Sequence, residues 1–182
     1  MALTQQQIEN IQIDYGIVFV NYGEEGKAQL GPTRGGGEFV ATATIRDIEY
    51  DGSKGKTKGM QVVDDITAQL NVTQLNTSMD TLKMALPFAK YEDAGKLSVG
   101  SDSVGIIPDI AYLKNITMFA KTIKGEYKKI TLYNALSENG LTLAAAPKSE
   151  GTIALNVYAH WDATDDTKNL FEIEDVERIQ FE

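Results

Sequence analysis

At 182 residues, 42% hydrophobic and 24% charged, the chain has the size and composition of one domain that buries a core without help from disulfides or metals. It contains no cysteine, which excludes catalytic thiols, zinc-thiolate sites, iron-sulfur clusters and disulfide frameworks. The formal net charge of -9 argues against tight DNA binding, because phosphate contacts depend on lysine and arginine displacing counterions.

No apolar run approaches the roughly 20 residues needed to span a bilayer. Residues 1–10 are polar where a secretion signal would be basic and then apolar. The expectation is a chain made in a cytoplasm and kept there unless carried out as part of something larger. The glycosylation sequons at Asn71, Asn76 and Asn115 carry no weight without a secretion signal.

Taken in order, residues 3–13 place Thr4 three residues before Gln7, with Leu3, Ile8 and Ile11 roughly on one side. That pattern suits either one or two helical turns or an arm that orders against a neighbour. Ile17, Val18, Phe19 and Val20 read as a short strand buried on both sides or capped by another subunit. Residues 21–37 are a long glycine-bearing connection, expected to be functional or ordered by a partner. Within it, residues 31–37 (Gly-Pro-Thr-Arg-Gly-Gly-Gly) predict a chain reversal or a close backbone approach.

From Phe39 the chain alternates, with Ala41, Ala43 and Ile45 sharing its face and Thr42, Thr44 and Arg46 opposite, the period of a half-buried strand. Ile48 and Tyr50 break the phase, which predicts a bulge near Arg46 and Asp47. After the Asp51-Gly52 turn comes a loop with almost nothing to bury, carrying Lys54, Lys56 and Lys58 and expected to be mobile. A longer return strand sets Val62, Asp64, Ile66, Ala68, Leu70 and Val72 on one face. Leu75, Met79, Leu82 and Leu86 then recur at helical spacing behind Thr77 and Ser78, and Pro87 stops the helix near Leu86.

Residues 88–105 read as irregular, and Ile106-Ile107-Pro108 as a short edge strand. Residues 112–123 and 127–136, joined at Lys124-Gly125, read as a hairpin with apolar residues on both faces of the first strand. A turn at Glu138-Asn139-Gly140 leads through residues 141–146 and Pro147 to a charged bend at 148–151. The cleanest strand follows, with Ile153, Leu155, Val157, Ala159 and Trp161 on one face, and belongs centrally in a sheet. From Asp162 the chain is acidic and expected to lie over the surface, anchored by Leu170, Phe171, Ile173 and Phe181. The whole predicts a mainly β fold, a β-sandwich or partly closed barrel with a flanking helix.

The chemistry-bearing patterns are weak. Gly31 and Gly36 have phosphate-loop spacing, but Gly37-Glu38 stand where lysine and a hydroxyl belong. Asp47, Glu49 and Asp51 open like a calcium loop, but Lys58 occupies the position of the bidentate glutamate. His160 is the only histidine and reads as structural. Asp162, Asp165 and Asp166 are read as a solvated turn rather than a cation site, and no pair among the 26 acidic residues stands out for glycosidase chemistry. No catalytic, cofactor-binding or metal-ligating residue is assigned. Lys54, Lys56 and Lys58 form the one notable basic cluster, either a solubilising tip or a contact to the acidic surface of an adjacent copy.

These features in this order resemble the major tail tube protein of long-tailed bacteriophages and of prophages of Gram-positive bacteria. The residues that carry the resemblance are Leu30-Gly31-Pro32-Thr33-Arg34-Gly35-Gly36, residues 45–52 with their Asp51-Gly52 turn, and the helix at 79–86. It continues through Lys128-Lys129-Ile130-Thr131-Leu132-Tyr133-Asn134-Ala135, Glu138-Asn139-Gly140-Leu141 and residues 148–151 into the last clear strand. It implies one tail-tube-like domain over residues 1–182, with an N-terminal arm at about 1–13 and an acidic C-terminal tail at about 162–182. It further implies hexameric rings stacked into a hollow conduit for DNA ejection, with no catalysis and no cofactor. The implied partners are the chain itself, the tail tip, tape measure and terminator proteins, and DNA passing without specific binding. The implied location is a virion tail assembled in the bacterial host cytoplasm. Lys54, Lys56 and Lys58 then become a candidate contact loop between rings. The same fold would serve contractile tails and tail-like injection particles. The alternative from another class is a β-sandwich carbohydrate-binding module using Tyr112, Tyr127, Tyr133, Tyr158 or Trp161 as a stacking platform.

Overall fold

The computed structural model describes residues 2–13, 16–92, 95–143 and 150–181. The N-terminal helix α1 (Gln5–Glu9) opens with a capping box: Gln7 N donates to Thr4 Oγ1 (3.2 Å) and Thr4 N donates to Gln7 Oε1 (2.9 Å). Five strands then build one sheet, in the order β2 (Ala28–Gln29), β1 (Ile17–Val20), β7 (Leu113–Lys121), β8 (Tyr127–Ser137), with a fifth strand from the C-terminal segment on the first half of β8. Every pairing is antiparallel. The second sheet runs from β8 to β9 (Ile153–Tyr158), β4 (Gln61–Gln74) and β3 (Thr33–Asp47).

The strand β8 belongs to both sheets. Its first half pairs with β10 (Phe171–Val176) and its end, Leu136 and Ser137, pairs with β9. The change of partner falls at Asn134, whose φ of 46° is left-handed, and this bend lets one strand serve two layers. His160 holds the bend. Its Nδ1 lies 3.0 Å from Asn134 O, its Nε2 2.9 Å from Glu138 Oε1, and Asn134 Nδ2 donates to its carbonyl at 3.2 Å. These contacts give His160 a structural place at the bend.

The layers face each other as an unclosed β-sandwich. Val18, Ile116, Met118 and Leu132 of one sheet meet Leu70, Val72, Leu155 and Val157 of the other in a buried core. Phe39 and Phe171 close one side with ring centroids 5.2 Å apart. The helix α2 (Met79–Ala85) covers an end of the sandwich, burying Thr81 and Ala85. It begins at Ser78, which accepts from Thr81 N at 3.4 Å, and ends at Leu86 before Pro87. A small separate hairpin follows, β5 (Lys90–Glu92) with β6 (Lys96–Ser98). On the outer face of the first sheet Phe19, Phe119 and Ile179 form a second cluster, so β1 and β7 are buried on both sides as their sequences predict.

Several expectations are corrected. The glycines at 35–37 make no reversal: β3 passes straight through them, with Gly35 and Gly36 (φ 76° and 78°) forming a two-residue bulge opposite β4. The second bulge sits between Thr44 and Ile45, and its extra residue is Asp64 on the return strand, where Arg46 grips the carboxylate at 2.9 Å. The phase of β4 flips there, so Val63 rather than Val62 joins the apolar face. Ile106-Ile107-Pro108 is not a strand, and Trp161 lies beyond β9, 55% exposed, rather than on the core face. The acidic C-terminal segment is more than a surface strap: β10 is a sheet strand, and Ile179 is buried while Ile173 is exposed. Residues 144–149, which hold Pro147 and the first half of the charged bend expected at 148–151, lie outside the described residues.

Candidate assembly surface

The distal part of β3 and β4 projects from the body. From Ala41 to Thr67 only Asp47, Ser53, Thr57 and Met60 are even partly covered. The paired segments 41–47 and 61–67 therefore form a free two-stranded blade, about 23 Å long at roughly 3.3 Å per residue, before the loop begins.

Register makes this blade amphipathic. Ala41 pairs with Ala68, Ala43 with Ile66 and Ile45 with Val63, and this row continues the core-facing row of Phe39, Leu70 and Val72 beyond the edge of the sandwich. Thr42, Thr44 and Arg46 occupy the other face with Thr67, Asp65 and Val62. The apolar row has nothing over it: Ile45 is 57% exposed and Val63 53%. Isolated two-stranded ribbons are marginal in water, and an exposed apolar face costs about 1 kcal/mol or more of unrealised burial for each large side chain. The alternation that reads as a half-buried strand is real, but the covering layer is absent from the subunit.

At the tip, turns are pinned locally. Ser53 N donates to Tyr50 O (2.9 Å), Thr57 Oγ1 to Gly55 O (3.1 Å), and Ile48 N to Met60 O (2.8 Å). Lys54, Lys56 and Lys58 are all exposed there, and none forms an ion pair among the described residues, whereas Arg34, Arg46 and seven other lysines do. The chain carries -9 in all, so setting aside these three cations leaves -12 on the remainder. Residues 52–59 are thus a locally basic stretch of an acidic molecule, with Glu49 and Asp51 just before it.

The connection at 21–37 does not project in the same way. Asn115 ties it to β7, accepting from Tyr22 N (2.8 Å) and donating to Tyr22 O (3.0 Å), and Lys114 N donates to Asn21 Oδ1 (3.0 Å). Among the described residues, none of the candidate aromatics Tyr112, Tyr127, Tyr133, Tyr158 and Trp161 makes a ring contact with another. Tyr112 sits edge-on to His160 (5.3 Å) at one end of the β7–β8 hairpin, and Tyr127 packs beside the Phe19 cluster at the other. Tyr133 donates its phenol to Glu172 Oε2 at 2.9 Å; burial, then this bond, push its pKa up to about 12.

The acidic residues also have local work. Asp162 accepts from Thr164 N (2.9 Å), Thr164 Oγ1 (2.7 Å) and Lys168 Nζ (2.6 Å), and these bonds hold it below the usual carboxylate range. Asp165 repeats the turn with Thr167. Asp47 accepts from Gln61 Nε2 at 2.8 Å. Among the described residues no group of three or more histidine, aspartate or glutamate side chains lies close enough to hold a metal ion, and no helix is long and apolar enough to cross a membrane.

No protein-family model matches this sequence, and neither does any curated protein. Among solved structures, the chain has a match to a chain from the virion of a native gene transfer agent particle. It is 9% identical, the match covers 81% of this chain and 92% of that one, and the TM-score is 0.47, a likeness at which the role of that chain does not transfer.

Proposed function

We propose that this chain is a structural subunit of a phage-like particle, the tail tube protein, whose copies form hexameric rings stacked into a hollow conduit for DNA. The reading has no catalytic step and no cofactor. Its first support is the resemblance in sequence, which spans turns, strands and helix in order. The observation that carries it furthest is the projecting β3–β4 blade, with an apolar face that its own subunit leaves bare and a tip of unpaired cations. A monomeric protein gains nothing from such an element, whereas a subunit that must reach its neighbour requires one.

The charge distribution suits the role. An adjacent copy presents a surface dominated by carboxylate to the tip, which favours encounter and orientation. An acidic conduit also repels phosphates, so DNA passes without adhering. Tail tip, tape measure and terminator proteins are the expected further partners, and the particle's tail the expected location.

The test is charge reversal at the tip. A Lys54→Glu/Lys56→Glu/Lys58→Glu variant is expected to fold with stability within about 0.5 kcal/mol of the parent, as surface changes do. It should fail to form the rings and tubes that the parent forms, and parental assembly should weaken with added salt. A variant that assembles as the parent does would remove the tip from the contact between rings.

A further inference from the structure

Residues 99–111, between β6 and β7, stand off the body as a strap. Among the described residues their backbone hydrogen bonds close only short local turns: Ser103 N donates to Gly100 O (3.0 Å), Val104 N to Ser101 O (3.3 Å), Ala111 N to Pro108 O (2.9 Å) and the adjoining Tyr112 N to Asp109 O (3.1 Å). One side-chain tie leads outward, an ion pair between Asp102 and Lys90, both exposed. A segment held so locally belongs to the least stable part of a structure. Within it Ile106 is 100% exposed and Ile110 93%, with Val104 at 84%. Single exposed apolar residues are ordinary, but several in one short segment make a patch. Beside them opens a cleft of about 850 Å³, bordered by α2, that reaches the buried Leu136, Leu155 and Val157. The charged residues lining it are Asp80, Lys83, Lys90 and Asp102, all exposed. Two cations stand against two carboxylates, and each has a local answer: Asp80 at the start of α2, Lys83 Nζ 5.8 Å from the ring of Tyr91, and Lys90 with Asp102. The cleft therefore favours an apolar occupant over a charged one.

We propose that residues 99–111 are a hinged cover that folds into this cleft and seats Ile106 and Ile110 on Leu136, Leu155 and Val157. Backbone residues of the strap already border the cleft at Ile106, Ile107, Pro108 and Ile110, so closure asks only for a local rotation. Gly105 supplies the hinge: its φ of 149° is a conformation that other residues rarely adopt, and it has open space around it. The driving force is apolar burial. A bare isoleucine and an unfilled apolar cleft each leave burial unrealised, and one movement answers both. The pair between Lys90 and Asp102 tethers the first turn of the strap to the β5–β6 hairpin while residues 104–110 turn inward. No charge need be buried on the way, because Asp109, the one charged residue of 104–111, is not part of the lining. The closure belongs to the single chain and does not depend on the proposed assembly.

The absence of cysteine makes thiol labelling a clean probe. Ile106→Cys and, separately, Ile110→Cys chains are reacted with a maleimide in native buffer and in urea, at protein concentrations where light scattering shows monomers. Closure predicts that both positions react about tenfold or more slowly in the native chain than in the unfolded one, while a Lys54→Cys control reacts alike in both. Adding Ile110→Glu to the Ile106→Cys chain should abolish the protection, because a carboxylate does not enter an apolar cleft. Native labelling as fast as in urea at positions 106 and 110 would overturn the proposal. So would protection that grows with protein concentration, since a neighbouring copy and not the chain's own cleft would then be the cover.

Discussion

Met118 lies between two glycines, and the sheets can meet there because neither has a side chain. A Cβ built at Gly37 would stand 2.7 Å from Met118 Sδ, and one at Gly16 would stand 2.7 Å from Met118 Cγ. The thioether cannot retreat from one without striking the other. Gly37→Ala is therefore expected to cost about 1–3 kcal/mol, as overpacking does. In the Met118→Ala background the same change should cost clearly less, and denaturant unfolding of all four proteins in the cycle reads the difference. The sequence displays the glycine run and predicts close approach there. It cannot name the sulfur that does the approaching, which comes from a strand some 80 residues away. Glu172 gives a second residue-scale prediction. Asn169 Nδ2 (2.6 Å) and Tyr133 Oη (2.9 Å) both donate to its carboxylate, and with Lys129 nearby they lower its pKa from 4.5. A carboxylate lowered on folding contributes stability that is fully present above its unfolded pKa and is lost as pH falls through the folded value. Melting followed from neutral pH to below 4.5 should show a shallower acid decline in Glu172→Gln than in the parent, with the two curves converging at the acid end.

The element that defines this molecule is a hairpin whose outer part packs on nothing in its own body. Because residues 41–47 and 61–67 are exposed, replacing residues 43–66 by an Asn-Gly turn is expected to leave a folded protein. Its melting temperature should stay within a few degrees of the parent while assembly disappears, and collapse of the fold would show that the blade supports its own subunit. Elements with a clear pattern were legible in the sequence: the apolar run of β1, the strands β7, β8 and β9, and α2 between its serine cap and its proline stop. Others were not, for physical reasons. The strands β2, β5 and β6 are two or three residues long, too short to show a period. The strand β10 escaped because carboxylates stand on both of its faces, answered by lysines on β8: Glu174 meets Lys129 at 3.1 Å and Asp175 pairs with Lys128. Cross-strand charge pairing of this kind becomes visible only when the partner strand is known. The blade was half legible, since alternation shows a strand with an apolar face but not which molecule covers it.

At the scale of the whole molecule, the bare apolar face of the blade, its three exposed lysines and a formal net charge of -9 are the features on which the assembly proposal rests. The candidate site was legible as a lysine cluster in a loop. Its projection on a free blade, and the cleft between α2 and residues 99–111, follow from packing across long sequence separations that periodicity does not encode. The subunit is expected to bury the bare face of the blade in a repeating contact with its own kind. Electron microscopy of the purified protein at high concentration, alone and with purified tail-tip complex, tests this most directly. The account predicts hollow tubes of uniform width built from stacked six-fold rings. A protein that stays monomeric at every concentration, with and without that complex, would contradict it.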